Sequence, residues 1–411
     1  MYTYYKKTEK MKPIKIWLSD ESKIEQGCLD QAKAVAQLPF VHKWLALMPD
    51  THLGAGMPIG GVLATKGVIV PFAVGMDIGC GMCYIQTNIS LESIKSVQVE
   101  KNSLLELMIQ TLLKEIPVGK QCYQVKQESV VIDEAFRQYK QYKSFPDAEK
   151  ILEGAYYQTG TLGGGNHFIE LQVDEQGMIG IMLHSGSRHL GAVVCQHFQK
   201  LALELNQKWY SSLPENSRLA FLPTSSWEGQ EYLKWMNLAL DYAFENREAM
   251  LAKTMNIFAD LVYQHVGTET EFSSKINCHH NYASLEHHYG ENVWVHRKGA
   301  TRARKNELGI IPGAMGSYSY LVRGLGNEES FHSSSHGAGR VYSRTKAKEN
   351  FPSQEVLTDL KEQEVIIGKR NLADVAEESR FAYKNIDEVM ENQKDLVHPI
   401  KKLKTIGVVK G

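Results

Sequence analysis

Five side chains with metal-binding donors stand at the edges of apolar runs or in glycine-rich turns. They are Asp77, Cys80, His167, His184 and His280. A strand fixes the direction of the chain, and the turn after it exposes a side chain to solvent. Such positions therefore suit metal ligands that face a cleft. One carboxylate, one thiol and three imidazoles provide the O, S and N donors of divalent transition-metal sites. The set predicts a metal site, and the soft thiol favours zinc or iron over manganese.

Two glycine-bearing turns, at 163–165 and 312–316, lie near these imidazole-rich segments. Glycine lets backbone N–H groups approach an anion because no Cβ intervenes. A single glycine cluster is usually only a turn, but two beside predicted metal ligands favour phosphate binding. We therefore expect an enzyme that acts on a phosphate-bearing substrate.

His336 stands among small residues in the segment SSSHGAGR at 333–340. Histidine can attack phosphorus to form a phosphoramidate, and flanking glycines leave space for the phosphoryl group. Arg340 would then offer a bidentate fork to the phosphoryl oxygens. From the residues alone, a nucleophilic His336 is as well supported as a sixth metal ligand or a turn residue.

Basic side chains concentrate in two stretches of a chain whose formal net charge is only -1. The first comprises Arg297, Lys298, Arg302, Arg304 and Lys305, and the second Arg340, Arg344, Lys346 and Lys348. Because no global field attracts polyanions, binding to a nucleic-acid backbone needs a local patch of this kind. A solvated charged face is an almost equally good explanation.

The composition is that of a globular protein, with 43% hydrophobic residues among 411. No stretch reaches the ~18 apolar residues of a membrane span, and the N-terminus lacks the apolar segment of a secretory signal. Six cysteines are too sparse for a disulfide scaffold. We expect a cytoplasmic location with the cysteines as thiols.

The elements that must position these residues can be outlined from periodicity. Residues 68–70 predict a buried strand that enters the turn at 75–81, and 179–183 predict another strand that ends at His184. Residues 91–153 have a helical tendency and predict a peripheral helical segment. Residues 227–266 predict one or two long helices whose apolar stripe packs in the core. The last sixty residues are predicted to be mostly helical until 408–411.

Taken together, the motifs resemble the RtcB family of RNA ligases along nearly the whole chain. They are MPDTHLG at 48–54, DIGCGM at 77–82, GTLGGGNH at 160–167, HSGSR at 184–188, CHHN at 278–281, RKGA at 297–300, PGAMG at 312–316, RGLGNEES at 323–330, SHGAGR at 335–340 and VKG at 409–411. The resemblance implies a single α+β domain over 1–411, with mixed sheets, surrounding helices and a central metal-containing cleft.

The resemblance also implies a GTP- and manganese-dependent ligase that joins RNA 3′-phosphate or 2′,3′-cyclic phosphate ends to 5′-hydroxyl ends. On matching positions, Asp77, Cys80 and His167 would bind one Mn(II) and Cys80, His184 and His280 a second. Manganese thus replaces the first guess of zinc or iron. His336 becomes the residue that is guanylylated.

Guanine-nucleotide contacts carry over in the same way. They fall on Asn166, His167, Phe168, Ile169, Glu170, His280, Asn281, Pro312, Gly313, Ala314, Met315, Ser319, His336, Gly337, Ala338, Gly339 and Lys410. The chain departs from many relatives at His189 and Ser334, which we expect near the metal and the nucleophile. Asp50 and His52 belong to a matched motif, but the residues suggest no role for them.

Two other kinds of function are compatible with parts of this pattern. A metal-dependent phosphoesterase or an RNA 3′-end guanylyl-capping enzyme would keep the ligands and His336 without sealing RNA. A non-catalytic RNA-binding paralogue is disfavoured because the ligand set and the SHGAGR segment are intact.

Overall fold

The computed structural model describes residues 1–138, 145–214 and 217–411. Its strands are β1 (Tyr2–Tyr4), β2 (Ile14–Ile16), β3 (Val41–His52), β4 (Ile59–Thr65), β5 (Val68–Ile69), β6 (Gly81–Ser90), β7 (Gln98–Val99), β8 (Asn102–Ser103), β9 (Phe168–Asp174), β10 (Met178–Ser185), β11 (Leu222–Pro223), β12 (Phe272–His279), β13 (Asn281–His288), β14 (Glu291–Lys298), β15 (Ala300–Arg302), β16 (Leu308–Ile311), β17 (Tyr318–Gly324), β18 (Ser333–Ser335), β19 (Ile366–Lys369) and β20 (Val397–Lys410).

The helices are α1 (Gln26–Ala36), α2 (Pro71–Val74), α3 (Leu91–Lys95), α4 (Leu104–Glu115), α5 (Val130–Gln138), α6 (Ala148–Gln158), α7 (Arg188–Lys208), α8 (Trp227–Val266), α9 (Arg344–Asn350), α10 (Ser353–Glu362) and α11 (Ile386–Glu391). Short 3-10 helices lie at Lys7–Glu9, Glu21–Lys23, Glu328–Ser330, Leu372–Glu378 and Arg380–Ala382. The mixed helix-and-sheet class predicted from the sequence is confirmed.

Two sheets organise the described part of the chain. The six-stranded sheet has the order β1-β2-β3-β4-β14-β13, and the eight-stranded sheet has the order β12-β6-β10-β9-β20-β17-β16 with β19 paired to β20. Helices α4 and α8 pack on one face of the larger sheet, where Ile169, Leu171 and Ile181 are buried. The cleft described below takes residues from both sheets.

Helix α8 confirms the prediction of a long core helix over 227–266. It is one continuous element of 40 residues, begun by Ser226, whose side chain accepts a hydrogen bond from the Gly229 N–H. It ends at Gly267, which adopts a left-handed φ of 75°. Met236, Ala243 and Met250 on the predicted stripe are fully buried.

The predicted helical segment at 91–153 contains α3 to α5 and the start of α6, separated by the small hairpin of β7 and β8. Its residues 139–144 lie outside the described part of the chain. Helix α4 begins with a capping box formed by Ser103 and Glu106. Leu104, Met108 and Leu112 on its apolar side are buried, so this helix contributes to the core beneath the larger sheet.

Two local predictions need correction. The strand at 68–70 is observed as β5, but the short helix α2 separates it from the turn that follows, because Pro71 starts a helical turn. The C-terminal segment is not helical up to residue 408, since β20 already begins at Val397. Its lysines suggested a helix, yet pairing with β9 and β17 on both edges fixes a strand.

Candidate active site

The five predicted metal-binding side chains converge at one end of the larger sheet. Asp77 and Cys80 lie on the turn between α2 and β6, while His167 immediately precedes β9. His184 is near the end of β10, where it pairs with Phe168 of β9 and Met82 of β6. His280 follows β12, whose last residue, His279, pairs with Gly81. Antiparallel registers therefore bring these strand ends together.

The donor atoms of the cluster are within contact distance of one another. The Cys80 Sγ lies 3.4 Å from the His167 Nε2 and 3.2 Å from the His184 Nε2. The His280 Nε2 is 3.2 Å from the His184 Nε2, and an Asp77 carboxylate oxygen is 3.0 Å from the His167 Nε2. Cys80 thus lies between the imidazoles, in a position to share ligation.

Backbone carbonyls orient two of these imidazoles. The His167 Nδ1 lies 2.8 Å from the Leu162 carbonyl oxygen, and the His184 Nδ1 lies 3.1 Å from the Asn166 carbonyl oxygen. A carbonyl only accepts, so each ring carries its proton on Nδ1 and keeps a lone pair on Nε2. Burial lowers the pKa of His184 well below its usual value, which keeps the ring neutral.

These donors fit a metal ion. The lone pair of the His167 Nε2 faces an Asp77 carboxylate oxygen, and two acceptors at 3.0 Å repel each other unless a cation lies between them. Among the described residues, the buried Asp77 Oδ1 and His280 Nδ1 have no hydrogen-bond partner. Burial and the Asp77 carboxylate raise the pKa of the Cys80 thiol, and a bound cation would reverse this by favouring the thiolate.

Glycine is required close to this cluster. A Cβ at Gly186 would lie 2.2 Å from an Asp77 carboxylate oxygen. A Cβ at Gly163, whose φ is 92°, would lie 2.7 Å from the His167 Nδ1. Glycine at these two positions therefore leaves room for the side chains of Asp77 and His167.

His336 faces the same cleft from a different part of the chain. Its Nδ1 lies 2.6 Å from a carboxylate oxygen of Asp50, which also accepts the His336 backbone N–H at 3.1 Å. Asp50 is fully buried on β3, whereas the His336 side chain is 15% exposed. The pair fixes the proton on Nδ1 and leaves the Nε2 lone pair available. The His336 and His280 rings are 4.8 Å apart.

The backbone after His336 is closely fitted to Asp50. Gly339 has a φ of 74°, and a Cβ there would lie 2.1 Å from the Asp50 carbonyl oxygen. The Lys384 ammonium donates to the Pro49 and Thr51 carbonyls on either side of Asp50. This contact network holds the His336 loop against β3.

The cleft between the two sheets has a volume of about 860 Å³. Most of the predicted nucleotide contacts line it, namely Asn166, Phe168, Glu170, His280, Asn281, Pro312, Gly313, Ala314, Met315, His336, Gly337, Ala338, Gly339 and Lys410. The Ile169 side chain packs into the core instead. The buried Ser319 hydroxyl accepts from the Gly313 N–H and from Gln172, so it supports the wall from behind.

Glu170 is a buried carboxyl group on this wall. Burial raises its pKa to about 7, although hydrogen bonds from Gln172 and Thr405 and the charge of Lys410 act in the opposite direction. A carboxyl group with such a pKa changes charge near neutral pH. It can accept hydrogen bonds from a ligand with two N–H groups once it is ionised.

Arg340 and Arg344 of the second basic stretch lie along the cleft, where Glu378 pairs with both. This buried carboxylate contacts Arg340 at 3.2 Å, Arg344 at 3.4 Å and Lys410 at 3.4 Å. Despite its burial, the charges of Lys410 and Arg340 lower its pKa to about 2, so it stays ionised. Glu378 thus positions cationic side chains that could bind a polyanion.

Arg340 is differently placed from the prediction. Its guanidinium donates to Glu378, to the Tyr383 hydroxyl and to the carbonyls of Tyr342 and Glu377. These bonds occupy the fork that was expected to hold a phosphoryl group on His336. Arg340 instead secures the loop that follows His336.

Only Arg304 and Lys305 of the first basic stretch are exposed, so most of the predicted surface patch does not form. Arg297 is fully buried and paired with Glu286 at 2.5 Å. Lys298 is buried against the carbonyls of Ala55 and Phe72, and burial lowers its pKa to about 8. Arg302 pairs with Glu307 at 2.6 Å. Local charge alone could not distinguish buried ion pairs from an exposed patch.

The two departures from the family pattern are also placed by the structure. His189 is exposed at the start of α7 and lines a separate cavity with Phe145 and Lys150, so the expectation that it lies beside the metal is wrong. Ser334 is buried on β18, where it pairs with Thr301 of β15 two residues before His336. Its hydroxyl bonds to the Ser335 carbonyl.

Sequence reasoning left several groups at the site without a role. Asp50 was quoted within a matched motif, and its spacing to His336 of 286 residues gave no sign of contact. Glu378, Tyr383 and Lys384 lie in a charged C-terminal region that offered no motif. A buried acid paired with a histidine becomes recognisable only when the fold brings them together.

Among the described residues, no helix combines the length and the apolar character needed to cross a bilayer. The buried O, N and S donors and the adjoining cleft define the class of site, a candidate metal-binding active site with an oriented histidine at its edge.

Comparison with known proteins gives the family. Residues 31–411 match the family model described as tRNA-splicing ligase RtcB. The chain is 38% identical to the RNA-splicing ligase RtcB of Escherichia coli K12, over 97% of each chain. It is 30% identical to the tRNA-splicing ligase RtcB of Thermococcus kodakarensis, over 97% of this chain and 95% of the relative. The chain belongs to the RtcB family.

Proposed function

We propose that this protein is an RNA ligase that uses GTP and Mn(II) to join 3′-phosphate or 2′,3′-cyclic phosphate ends to 5′-hydroxyl ends. The observation that carries the proposal is the His336–Asp50 pair at 2.6 Å, set on the same cleft as the donors around Cys80. Family membership and the names of the relatives support RNA ligation. The substrates are GTP and RNA, and the proposed location is the cytoplasm.

Five residues would hold the metal ions. Asp77, Cys80 and His167 would bind one Mn(II), and Cys80, His184 and His280 the other, with the thiolate shared. The close approach of Cys80 to His167 and His184 supports this division. When bound, the ions neutralise phosphate charge and make phosphorus more electrophilic.

His336 carries the first covalent step. The Asp50 carboxylate holds the proton on Nδ1, so the Nε2 lone pair attacks the α-phosphorus of GTP. An N–P bond forms, the bond to the β-phosphate oxygen breaks and pyrophosphate leaves. The positive charge that develops on the ring is stabilised by the buried Asp50 carboxylate.

Three further reactions are needed: hydrolysis of a cyclic phosphate, transfer of GMP to the RNA end, and displacement of GMP. Water opens a cyclic phosphate to a 3′-phosphate, and an oxygen of that phosphate attacks the phosphorus on His336, so the N–P bond breaks. The RNA end is now joined to GMP through a diphosphate. The 5′-hydroxyl oxygen then attacks the RNA phosphorus and GMP leaves with the bonding electrons. Alignment and charge neutralisation dominate such transfers.

The cleft wall provides groups that suit these substrates. Lys410 and Arg344, positioned by Glu378, would bind phosphate oxygens. An ionised Glu170 would accept two N–H groups on the edge of guanine and so favour GTP over ATP. Gly337, which lines the cleft next to His336, has no Cβ that would occupy the space beside the imidazole.

The decisive experiment uses GTP labelled at the α-phosphate with Mn(II) and the full chain. We expect an acid-labile, base-stable GMP adduct, absent from His336→Ala and present in His265→Ala, which changes an exposed histidine at the end of α8. An adduct that persists in His336→Ala contradicts the nucleophile assignment.

Addition of RNA separates ligation from the alternative activities. With 3′-phosphate and 5′-hydroxyl ends present, a ligase releases GMP and yields a sealed product. A guanylyl-capping enzyme would leave GMP on the 3′ end, and a phosphoesterase would release inorganic phosphate. A non-catalytic paralogue would bind RNA with none of these products.

A further inference from the structure

A second group of potential metal ligands lies outside the cleft. His288, Glu328 and His332 each offer a ligand atom, and these atoms lie within 4.8 Å of one another. His288 ends β13, Glu328 begins the 3-10 helix Glu328–Ser330, and His332 directly precedes β18. In the described part of the chain, none of the three lines the cleft. The proposed ligase chemistry therefore gives this cluster no role.

The orientation of His288 is set by a buried carboxylate. The His288 Nε2 lies 3.1 Å from a Glu286 carboxylate oxygen. The same carboxylate forms a buried ion pair with Arg297 at 2.5 Å, which favours its ionised form. Glu286 therefore accepts, and the His288 proton is on Nε2.

This tautomer leaves a lone pair on the His288 Nδ1 in a buried position. The side chain is only 1% exposed, yet within residues 1–138, 145–214 and 217–411 the Nδ1 has no hydrogen-bond partner. A buried polar atom without a hydrogen-bond partner destabilises the folded state. Its nearest charged neighbour is a Glu328 carboxylate oxygen at 3.7 Å. Two acceptors face each other, as they do between His167 and Asp77.

His332 completes the arrangement from the other side of Glu328. The His332 Nε2 lies 3.0 Å from the second Glu328 carboxylate oxygen, and the two imidazole rings are 4.8 Å apart. Two nitrogens and a carboxylate thus surround one point. The Glu328 side chain is 58% exposed, which leaves a path from solvent and room for a water ligand.

We propose that His288, Glu328 and His332 form a second metal site, for a divalent transition ion of the zinc class. The His288 Nδ1, the His332 Nε2 and the Glu328 carboxylate would be the protein ligands, with the fourth tetrahedral position open to water. Glu286 matches the outer carboxylate that commonly receives the other N–H of a metal-bound histidine.

The position of this site gives it a structural consequence. His332 is joined to β18, which leads directly to His336, and its carbonyl accepts the Ala303 N–H at 2.7 Å. A metal shared with His288 would fasten the β13–β14 hairpin to the segment that carries the nucleophile. This inference extends beyond the proposed function and does not depend on it.

The test measures zinc stoichiometry of the full chain after chelator treatment, by equilibrium dialysis against Zn(II) and elemental analysis. Glu328→Gln/His332→Gln removes two ligands at partly exposed positions, so folding is retained and is checked by circular dichroism. The matched control is His287→Gln, because His287 is the exposed hairpin neighbour of His288 and contacts Asn292. All variants keep the ligands around Cys80.

We expect the double variant to bind one zinc ion fewer per chain than the wild type, whereas His287→Gln binds the same number as the wild type. Zinc should also raise the melting temperature less in the double variant than in the wild type, and it should raise that of His287→Gln as much as that of the wild type. Equal stoichiometry in wild type and double variant overturns the proposal and indicates instead an imidazolium held between Glu286 and Glu328. Because no activity is measured, failure here leaves the ligase proposal standing.

Discussion

Histidines on two sides of the cleft are oriented by different partners. His167 and His184 on the larger sheet donate Nδ1–H to neutral backbone carbonyls, whereas His336 donates to the buried carboxylate of Asp50. A carbonyl fixes the tautomer of a ligand that stays neutral. A carboxylate also stabilises the positive charge that develops when an imidazole forms a covalent bond. The same type of side chain is thereby suited to the proposed metal ligation on one side and to the proposed nucleophilic attack on the other.

Substitution of single histidines is expected to give the largest difference between the two sides of the cleft. His336→Asn should lower GMP-adduct formation by at least about 10⁴-fold while the metal content is retained, because only the proposed nucleophile is lost. His184→Asn should lower both adduct and metal content, since it removes a proposed metal ligand. Adduct assay and metal analysis on the same samples measure the difference. Loss of metal from His336→Asn would contradict the division between the two sides.

Asp50→Asn tests the carboxylate partner of His336. The side chain keeps its shape but loses the charge that stabilises the ring during attack, so the rate of adduct formation should fall about 10²- to 10⁴-fold. Metal binding should be unchanged. Single-turnover kinetics measure the rate, and Asp395→Asn, which alters an acid paired with Trp17, is the control. A rate within threefold of wild type would rule out this role for Asp50.

Gly186→Ala is expected to perturb the proposed metal ligands and to leave the His336–Asp50 pair unchanged. The added methyl group would meet Asp77, so metal affinity should fall about 10–100-fold, with adduct formation recovered at high metal concentration. Gly154→Ala on α6 has open space around the new methyl group and serves as the control. Metal titrations followed by calorimetry give the affinities. An unchanged affinity would show that Asp77 can move freely.

Glu170 predicts a pH dependence that involves neither set of histidines. Its carboxyl group is largely neutral below pH 7 and ionised above, so KM for GTP should fall by up to about tenfold between pH 6 and 8. Glu170→Gln should remove this dependence, whereas Glu175→Gln at the exposed end of the same hairpin should keep it. Steady-state kinetics at saturating Mn(II) measure KM. If KM for GTP depends on pH in Glu170→Gln as it does in the wild type, a group other than Glu170 titrates.

Much of the fold was accessible from local patterns. The apolar stripe at 227–266 predicted α8, because helical periodicity and burial coincide there. Residues 397–407 were mispredicted because lysines dominate their pattern. Lys401 is paired with Asp174, which lies 227 residues away in the sequence. Where distant partners fix a segment, local propensity gives little information.

The sequence by itself determined which side chains could ligate a metal and which histidine stands apart among small residues. Strand–turn boundaries and donor types carry that information locally. Tertiary structure alone decided which partner each histidine meets, that Arg297 and Arg340 are structural, and that Glu286 turns the lone pair of His288 towards Glu328. Proton location and charge depend on neighbours within a few ångströms, and folding brings those neighbours together from remote parts of the chain.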